Sequence, residues 1–191
     1  LMLICFAGDA EAGQAAMAPF RALATPLADM VRPTSYPELF PPEDESYRPT
    51  AVGRTLFMSA IDRGAAGAMI AHLESSNASM RVAQFRVLGG AIARVPPEAT
   101  AYAHRHSRIM VNVAAFFNGP ADKPVREEWV ARFAAALDQG DAGAYVNFVG
   151  DEGQQSVRAA YPGATWDRLA AVKLKYDPAN VFRLNHNIPP A

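Results

Sequence analysis

This 191-residue sequence lacks the features by which several classes of protein are recognised. It holds one cysteine, Cys5, so no intrachain disulfide can form, and the apolar neighbours of Cys5 predict a buried thiol. The 18 Lys and Arg residues are matched by 19 Asp and Glu residues, which leaves no broad basic face for nucleic acid or an anionic membrane. No glycine-rich phosphate-binding motif occurs, so we expect no nucleotide site formed by this chain alone.

Long apolar runs are also missing. No stretch reaches the length that a membrane-spanning helix needs, and the opening LMLICFAGD lacks the basic start of a signal peptide. We therefore expect no membrane partner and a cytoplasmic location. The chain begins at Leu1, inside an apolar run typical of a strand, which suggests a piece of a longer protein whose true N-terminus is missing.

What the sequence does contain is a mixture of strand-like and helix-like apolar patterns. Half of the residues are hydrophobic, enough to build a core. A proline-rich and acidic stretch over 32–50 predicts a long surface loop. The periodicity predicts strands over 1–7, 53–59, 79–88, 100–117 and 143–149, and helices over 9–27, 61–74, 125–137, 154–161 and 166–176.

The predicted strand over 100–117 carries an unusual set of polar side chains. Alternation places Tyr102, His104, His106, Met110 and Asn112 on one face and apolar residues on the other. Two histidines in an H-x-H pair point the same way, as metal ligands would, but no third ligand has a supporting spacing, so we expect no metal. A polar pocket wall is the functional interpretation, and a partly solvated sheet face is the alternative.

Two further segments have polar groups that need partners. In the predicted strand over 143–149, Tyr145 and Asn147 project to the same side, where buried polar groups require hydrogen bonds. After Asp177, the chain continues as an irregular arm that includes Asn185 and Asn187. The arm mixes amides with apolar side chains, as expected of a segment that lies against a polar and aromatic surface. A loop that caps its own domain is the alternative.

Several motifs, in one order, resemble the berberine-bridge-enzyme-like FAD-linked oxidases. They are PLAD at 26–29, YPEL at 36–39, GGAIARV at 89–95, ATAYAHR at 99–105, YVNF at 145–148, GDE at 150–152, VRAAY at 157–161 and RLAAVKLKYDPANVFRLNHNI at 168–188. The resemblance implies an α+β fold with a broad antiparallel sheet, helices packed on one face and the other face directed at a flavin domain. It also implies a substrate-binding domain over 1–172 and an arm over 173–191 that returns to the FAD-binding domain, which this chain does not contain.

The resemblance implies a function for the full-length protein. It would be an FAD-dependent enzyme that oxidises a C–OH or C–H centre of a sugar, alcohol or natural product, with hydride transfer to flavin N5. This chain would bind the small-molecule substrate and, alone, be inactive. The implied roles are catalysis for Tyr145, FAD contact for Tyr145, Asn147, Asn185 and Asn187, and substrate contact for Tyr102, His104, His106, Met110 and Asn112.

Two departures from the family pattern concern the general base. Many members have a second tyrosine where this chain has Phe148, and plant members have a glutamate near the position of Asn112. Neither residue present here can accept a proton, so the identity of the base stays open. The alternative function is a non-catalytic α+β interaction or dimerisation module, whose polar sheet face binds a protein partner, including a second copy of the chain.

Overall fold

The computed structural model describes residues 1–40, 46, 48–150 and 153–191, which divide into two compact units, 1–47 and 48–191. Its helices are α1 (Ala10–Arg21), α2 (Arg63–Ser75), α3 (Ala91–Arg94), α4 (Lys123–Leu137), α5 (Gln154–Ala160) and α6 (Ala164–Tyr176). Its strands are β1 (Ala51–Met58), β2 (Arg81–Val87) and β3 (Ile109–Phe116). Single 3₁₀ turns lie at Tyr36–Leu39, Pro97–Ala99 and Val146–Phe148.

The unit over 1–47 is built on α1. The helix begins after Asp9, whose carboxylate accepts hydrogen bonds from the backbone N–H groups of Glu11 and Ala12. Such an N-cap satisfies amides that have no partner within the helix. The helix ends at Arg21, before the predicted boundary at residue 27, and Arg21 forms a 2.5 Å ion pair with Asp29.

The predicted strand over 1–7 is wrong, because this segment forms no regular structure and most of its side chains are exposed. Cys5 is exposed as well, so the predicted buried thiol is also wrong. A strand needs a neighbour for its backbone N–H and C=O groups, and the described part of this unit contains no strand to pair with it.

The unit over 48–191 is organised around a three-stranded antiparallel sheet in the order β1-β3-β2. Residues directly opposite one another share a face, so the register assigns each side chain to a side of the sheet. One side carries Leu56, Val111 and Val113 and is covered by α2 and α4. We call the opposite side the polar face, and its residues are Gly53, Thr55, Phe57, Val82, Gln84, Arg86, Met110, Asn112 and Ala114.

The core lies between the sheet and the helix pair α2–α4. Val111, Val113 and Phe133 have no exposed surface, and each such buried side chain contributes roughly 1.5–3 kcal/mol. The two helices are also joined directly, since Trp129 donates its indole N–H to the carbonyl of His72 at 3.0 Å. The His72 ring in turn stacks on Phe133 with ring centres 4.9 Å apart.

Two predicted strands are wrong in part or whole. The third strand begins at Ile109, so residues 100–108, with Tyr102, His104 and His106, lie in an irregular segment before it. The stretch over 143–149 is not a strand but a coil that contains the 3₁₀ turn. Within these two segments the rings of Tyr102, His104, Tyr145 and Phe148 pack against one another, and a pattern of alternation does not reveal such contacts.

The predicted fold class is confirmed: helices cover one face of an antiparallel sheet, and structural relatives described below share this architecture. Helices α2, α4, α5 and α6 lie within two residues of their predicted bounds. Parts of the predicted loop over 32–50, residues 41–45 and 47, and the acidic pair 151–152 lie outside the described residues. Among the helices that the structure describes, none combines the length and hydropathy needed to cross a membrane.

Candidate functional site

Three polar side chains form a row across the polar face. Thr55, Asn112 and Gln84 lie opposite one another on the three strands. Asn112 is 9% exposed. The Thr55 hydroxyl oxygen is buried and has no partner among the described residues. Buried groups of this kind cost free energy unless something binds them, so this row is suited to contact a ligand.

Beside this row, five rings form what we call the aromatic cluster: Phe57, Tyr102, His104, Tyr145 and Phe148. Phe57 stacks on His104 with ring centres 4.6 Å apart. Tyr102 meets both His104 and Tyr145 edge-to-face at 5.9 Å, and Tyr145 meets Phe148 at 5.6 Å. Such aromatic pairs are favourable beyond the area they bury. The cluster therefore joins the segments around residues 102–104 and 145–148 to strand β1.

His104 lies at the base of this cluster, with 9% of its surface exposed. Its Nε2 atom is 3.3 Å from the carbonyl oxygen of Ala160, which can only accept, so the neutral ring carries its hydrogen on Nε2. Burial lowers the pKa of His104, and the Ala160 carbonyl opposes this shift only in part. The room for the ring is provided by Gly143, where an added Cβ would lie 2.6 Å from two ring atoms.

Tyr145 is the best-oriented proton-carrying group of the cluster. The Asn147 amide donates a 2.8 Å hydrogen bond to the Tyr145 hydroxyl oxygen, which leaves the hydroxyl hydrogen free to point elsewhere. The neighbouring Tyr102 differs, since burial raises its pKa and keeps it protonated. Tyr102 can therefore donate a hydrogen bond at neutral pH but is a poor proton acceptor.

The C-terminal arm is fixed at its start by Asp177. The Asp177 carboxylate accepts hydrogen bonds from the backbone N–H groups of Val181 and Phe182 and from the ammonium group of Lys173. Later in the arm, Gln154 donates to the Asn187 carbonyl at 3.5 Å, and Asn187 Oδ1 is buried without a partner among the described residues. Phe182 and other apolar arm residues are exposed.

The structure brings together some of the residues predicted from the sequence and separates others. Tyr102, His104 and Tyr145 meet in the aromatic cluster, while Met110 and Asn112 lie on the polar face beside it. His106 is exposed. Asn147 is exposed beside Tyr145, and Asn185 and Asn187 lie in the arm.

Sequence reasoning missed Thr55, Phe57, Arg86 and Gly143. The Arg86 guanidinium lies 4.8 Å from the centre of the Phe148 ring and so covers one side of the cluster. Phe57 is buried and Thr55 is half-buried in β1. Their position opposite Asn112 and Met110 depends on strand register, which the sequence does not show.

A separate cleft of about 1050 Å³ lies elsewhere. It lies at the outer edge of β1, between α4 and α5, and no predicted site residue lines it. The described residues also contain no group of three His, Cys, Asp or Glu side chains that could hold a metal ion. The polar face and the aromatic cluster are therefore the candidate site on chemical grounds, and the cleft is a separate feature.

Comparison with known proteins points to one family. The sequence profile described as "Berberine and berberine like" matches residues 144–189. An uncharacterized FAD-linked oxidoreductase, YgaK of Bacillus subtilis (strain 168), is 34% identical over 119 residues, which are 62% of this chain and 26% of that protein. The chitooligosaccharide oxidase of Gibberella zeae is 33% identical over 121 residues, or 56% of this chain and 24% of that one.

Solved structures share the fold. A chitooligosaccharide oxidase superposes with a TM-score of 0.64 at 22% identity, covering 78% of this chain and 35% of that chain. Aclacinomycin oxidoreductase superposes with a TM-score of 0.60 at 23% identity, covering 75% of this chain and 33% of that chain. The chain spans about a quarter of the length of the curated relatives. On the sequence profile, the curated relatives and the shared fold, this chain is similar to the berberine-bridge-enzyme-like FAD-linked oxidoreductases.

Proposed function

We propose that the full-length protein containing this chain is an FAD-dependent oxidoreductase and that this chain forms its substrate-binding part. The substrate is a small molecule with a C–OH or C–H centre, such as a sugar, an alcohol or a natural product. The observation that carries the proposal is the polar face, where the Thr55 hydroxyl oxygen is buried without a partner among the described residues and Asn112, opposite it, is 9% exposed beside the aromatic cluster. Relatives named as FAD-linked oxidoreductases support the same chemistry.

The residues of the polar face and the aromatic cluster suit an uncharged ring and a ligand that carries hydroxyl groups. Amides and hydroxyls can donate and accept, and aromatic rings offer flat apolar contact. Arg86 is the one charged side chain among the polar-face residues, and it lies over Phe148. In this proposal Tyr145 and Asn147 face the flavin, Asn185 and Asn187 contact it from the arm, and the FAD-binding domain is provided by the rest of the protein.

Substrate contact is assigned to Asn112, Met110, Tyr102, His106 and His104. Asn112 and Met110 would face the substrate from the floor of the sheet, and Tyr102 would donate a hydrogen bond to it. His104 is buried beneath Tyr102, so its contribution would be to hold that ring in place. His106 is exposed at the rim.

FAD, when bound, supplies an acceptor at N5 for the hydride that leaves the substrate. This chain must then accept the proton that leaves the substrate hydroxyl. We assign it to Tyr145, whose own hydroxyl proton must first pass to solvent. The amide N–H of Asn147 donates to the tyrosine oxygen and would stabilise the phenolate that then accepts the substrate proton. Tyr102 remains protonated and orients the substrate oxygen.

The assignment of Tyr145 is tested in the full-length protein with Tyr145→Phe. This variant keeps the ring contacts with Tyr102 and Phe148 but removes the hydroxyl group. We expect kcat to fall by about 100-fold or more, the usual contribution of a positioned proton-transfer group. Tyr176→Phe, on the exposed end of α6, is the matched control and should leave kcat unchanged.

The broader proposal is tested by the absorption spectrum of the purified full-length protein and by peroxide release over a panel of sugars and phenols. Flavin absorption bands with substrate-dependent bleaching are expected. A colourless protein that forms a stable dimer through the polar face would instead support the interaction module. A coloured, active protein whose Tyr145→Phe variant retains its kcat would keep the oxidoreductase and exclude Tyr145 as the proton acceptor.

A further inference from the structure

Two arginines at one end of the polar face have no task in the proposed function. Arg86 lies opposite Met110 in the register of β2 and β3, and its guanidinium carbon is 4.8 Å from the centre of the Phe148 ring. The ladder continues one step beyond these strands, because Leu88 donates its backbone N–H to the Arg108 carbonyl at 2.7 Å. Arg108 is two residues before Met110, so alternation directs its side chain toward the same side of the sheet.

We call Arg86 and Arg108 the arginine pair, and they occupy diagonal positions on neighbouring strands. Diagonal residues are about 7–8 Å apart, which long side chains can bridge. Both arginines are exposed, and neither forms an ion pair within the part of the chain that the structure describes. The 3.3 Å hydrogen bond that Arg86 donates goes to the neutral amide of Gln84. Two like charges this close repel each other, so the arginine pair favours an anion between them.

The acidic residue that hydrogen bonds place close to this segment is Asp141. Its carboxylate accepts a 3.1 Å hydrogen bond from the Ser107 hydroxyl and a 2.9 Å hydrogen bond from the backbone N–H of Gly143. Its charge acts on His104 and Tyr102, where it raises the pKa of each group in part. Asp141 is therefore held beside the aromatic cluster, and the arginine pair is left to bind an anion from outside.

We propose that the arginine pair binds a carboxylate carried by the substrate, so that the substrate is a small organic acid. This inference rests on the proposed function, because it assigns a substrate class to the same face. A guanidinium group suits a carboxylate, since its N–H donors can reach both oxygens at once. One ring, Phe148, separates Arg86 from Tyr145, the proposed proton acceptor. The substrate would therefore hold its carboxylate and its oxidised C–OH group about one ring apart.

Paired ligands that differ in a carboxylate test this inference in the full-length protein. The pairs are glucuronate with glucose and para-(hydroxymethyl)benzoate with benzyl alcohol, and calorimetric titration measures each dissociation constant. We expect the acid of at least one pair to bind about 10-fold more tightly than its neutral partner, as charge-assisted hydrogen bonds provide. Added salt should reduce this preference, because it screens exposed charges. Acids that bind no more tightly than their neutral partners would overturn the proposal.

Variants of the arginine pair show whether these residues cause the preference. Arg86→Gln and Arg108→Gln should each reduce the ratio of acid to neutral affinity by about 10-fold, and Arg86→Lys should retain part of it because a positive charge remains. Arg63→Gln is the matched control, since Arg63 is exposed at the start of α2, on the other side of the sheet, and it should leave the ratio unchanged. An equal loss of affinity for both ligands in Arg86→Gln would give Arg86 a structural role over Phe148 and contradict the inference.

The outcomes also separate this inference from the proposed function. A flavin-containing, active protein that binds the neutral ligands as tightly as the acids would keep the oxidoreductase and overturn the carboxylate site. A colourless protein that binds the acids through the arginine pair would keep the carboxylate site and contradict the oxidoreductase. Arginine variants that release FAD while the acid preference is unchanged would assign the pair to the phosphates of the cofactor and overturn the proposal.

Discussion

At the scale of the residue, His104 shows how one side chain can connect several segments. Its ring contacts Phe57 of β1, Tyr102 of its own segment and the carbonyl of Ala160 at the end of α5. Burial is the largest cause of its lowered pKa, and the charge of Asp141 opposes that shift in part. The neutral ring fits this position, because burial opposes the charged form.

The first prediction concerns the pH dependence of folding. Because the pKa of His104 is lowered in the folded state, the unfolded chain binds the proton more readily, and the free energy of unfolding should fall as pH decreases below about 6.5. The contribution of one such group cannot exceed about 1.4 kcal/mol per pH unit. His104→Phe retains stacking on Phe57 and should flatten this part of the profile, measured by urea unfolding at several pH values.

The matched control is His106→Phe, because His106 is exposed and two positions away. This variant should leave the slope of the free energy of unfolding against pH, below pH 6.5, as it is in the unmodified protein. An unchanged slope in His104→Phe would show that another group produces the pH dependence.

The second prediction concerns Gly143. An alanine Cβ there would lie 2.6 Å from the His104 ring and 2.9 Å from the Phe57 ring, and both rings are buried. Gly143→Ala should therefore destabilise the protein by about 1–3 kcal/mol, as overpacking does. Gly67→Ala in α2 is the control, because nothing lies within 4 Å of its added Cβ, and it should be neutral or slightly stabilising. Equal unfolding midpoints for the two variants would contradict this account.

At the scale of the element, α6 and the arm are joined by one carboxylate. Asp177 ends α6 and binds both Lys173, one turn earlier, and the backbone of Val181 and Phe182. These donors hold the pKa of Asp177 below its usual value, with the Lys173 hydrogen bond as the largest cause. The first residues of the arm are thereby fixed in direction, although their apolar side chains are exposed.

The third prediction follows from this arrangement. Asp177→Asn removes the negative charge that binds Lys173 and two backbone amides. The amide hydrogens of Val181 and Phe182 should therefore exchange with solvent several-fold faster. Since the pKa of Asp177 is lowered on folding, its stabilising effect is present above about pH 4 and is lost as pH falls through the folded-state pKa. Asp167→Asn, in the first turn of the same helix, is the control and should leave these two amides unchanged.

At the scale of the whole molecule, the chain has a polar sheet face, which we propose contacts substrate, and its sequence contains no glycine-rich phosphate-binding motif. The cofactor contacts proposed above come from amides and aromatic rings and would be completed by another part of the protein. The test at this scale is therefore whether the isolated chain can bind FAD.

The fourth prediction is that the purified 191-residue chain neither binds FAD nor turns over substrate. The physical reason is that the pyrophosphate of a dinucleotide is commonly held by a helix N-terminus and a glycine-rich turn, and this sequence has no such motif. Titration of flavin fluorescence with the chain measures this directly. Saturable quenching by the folded chain would contradict the prediction.

Much of this protein follows from its sequence alone. Apolar periodicity determines helices α2, α4 and α6 and the central part of each strand, because a 3.6-residue or two-residue repeat must bury one face. The motif YVNF and the segment after residue 168 are sufficient to indicate the family. The balance of charge, in the same way, follows from composition.

Only the tertiary structure decided which polar groups meet. The sequence predicted Tyr102 and His104 on a strand with Asn112, but aromatic packing holds them in an irregular segment before β3, and the register of β1 places Thr55 opposite Asn112. Register and ring packing depend on contacts between residues far apart in the chain, which a local pattern does not contain.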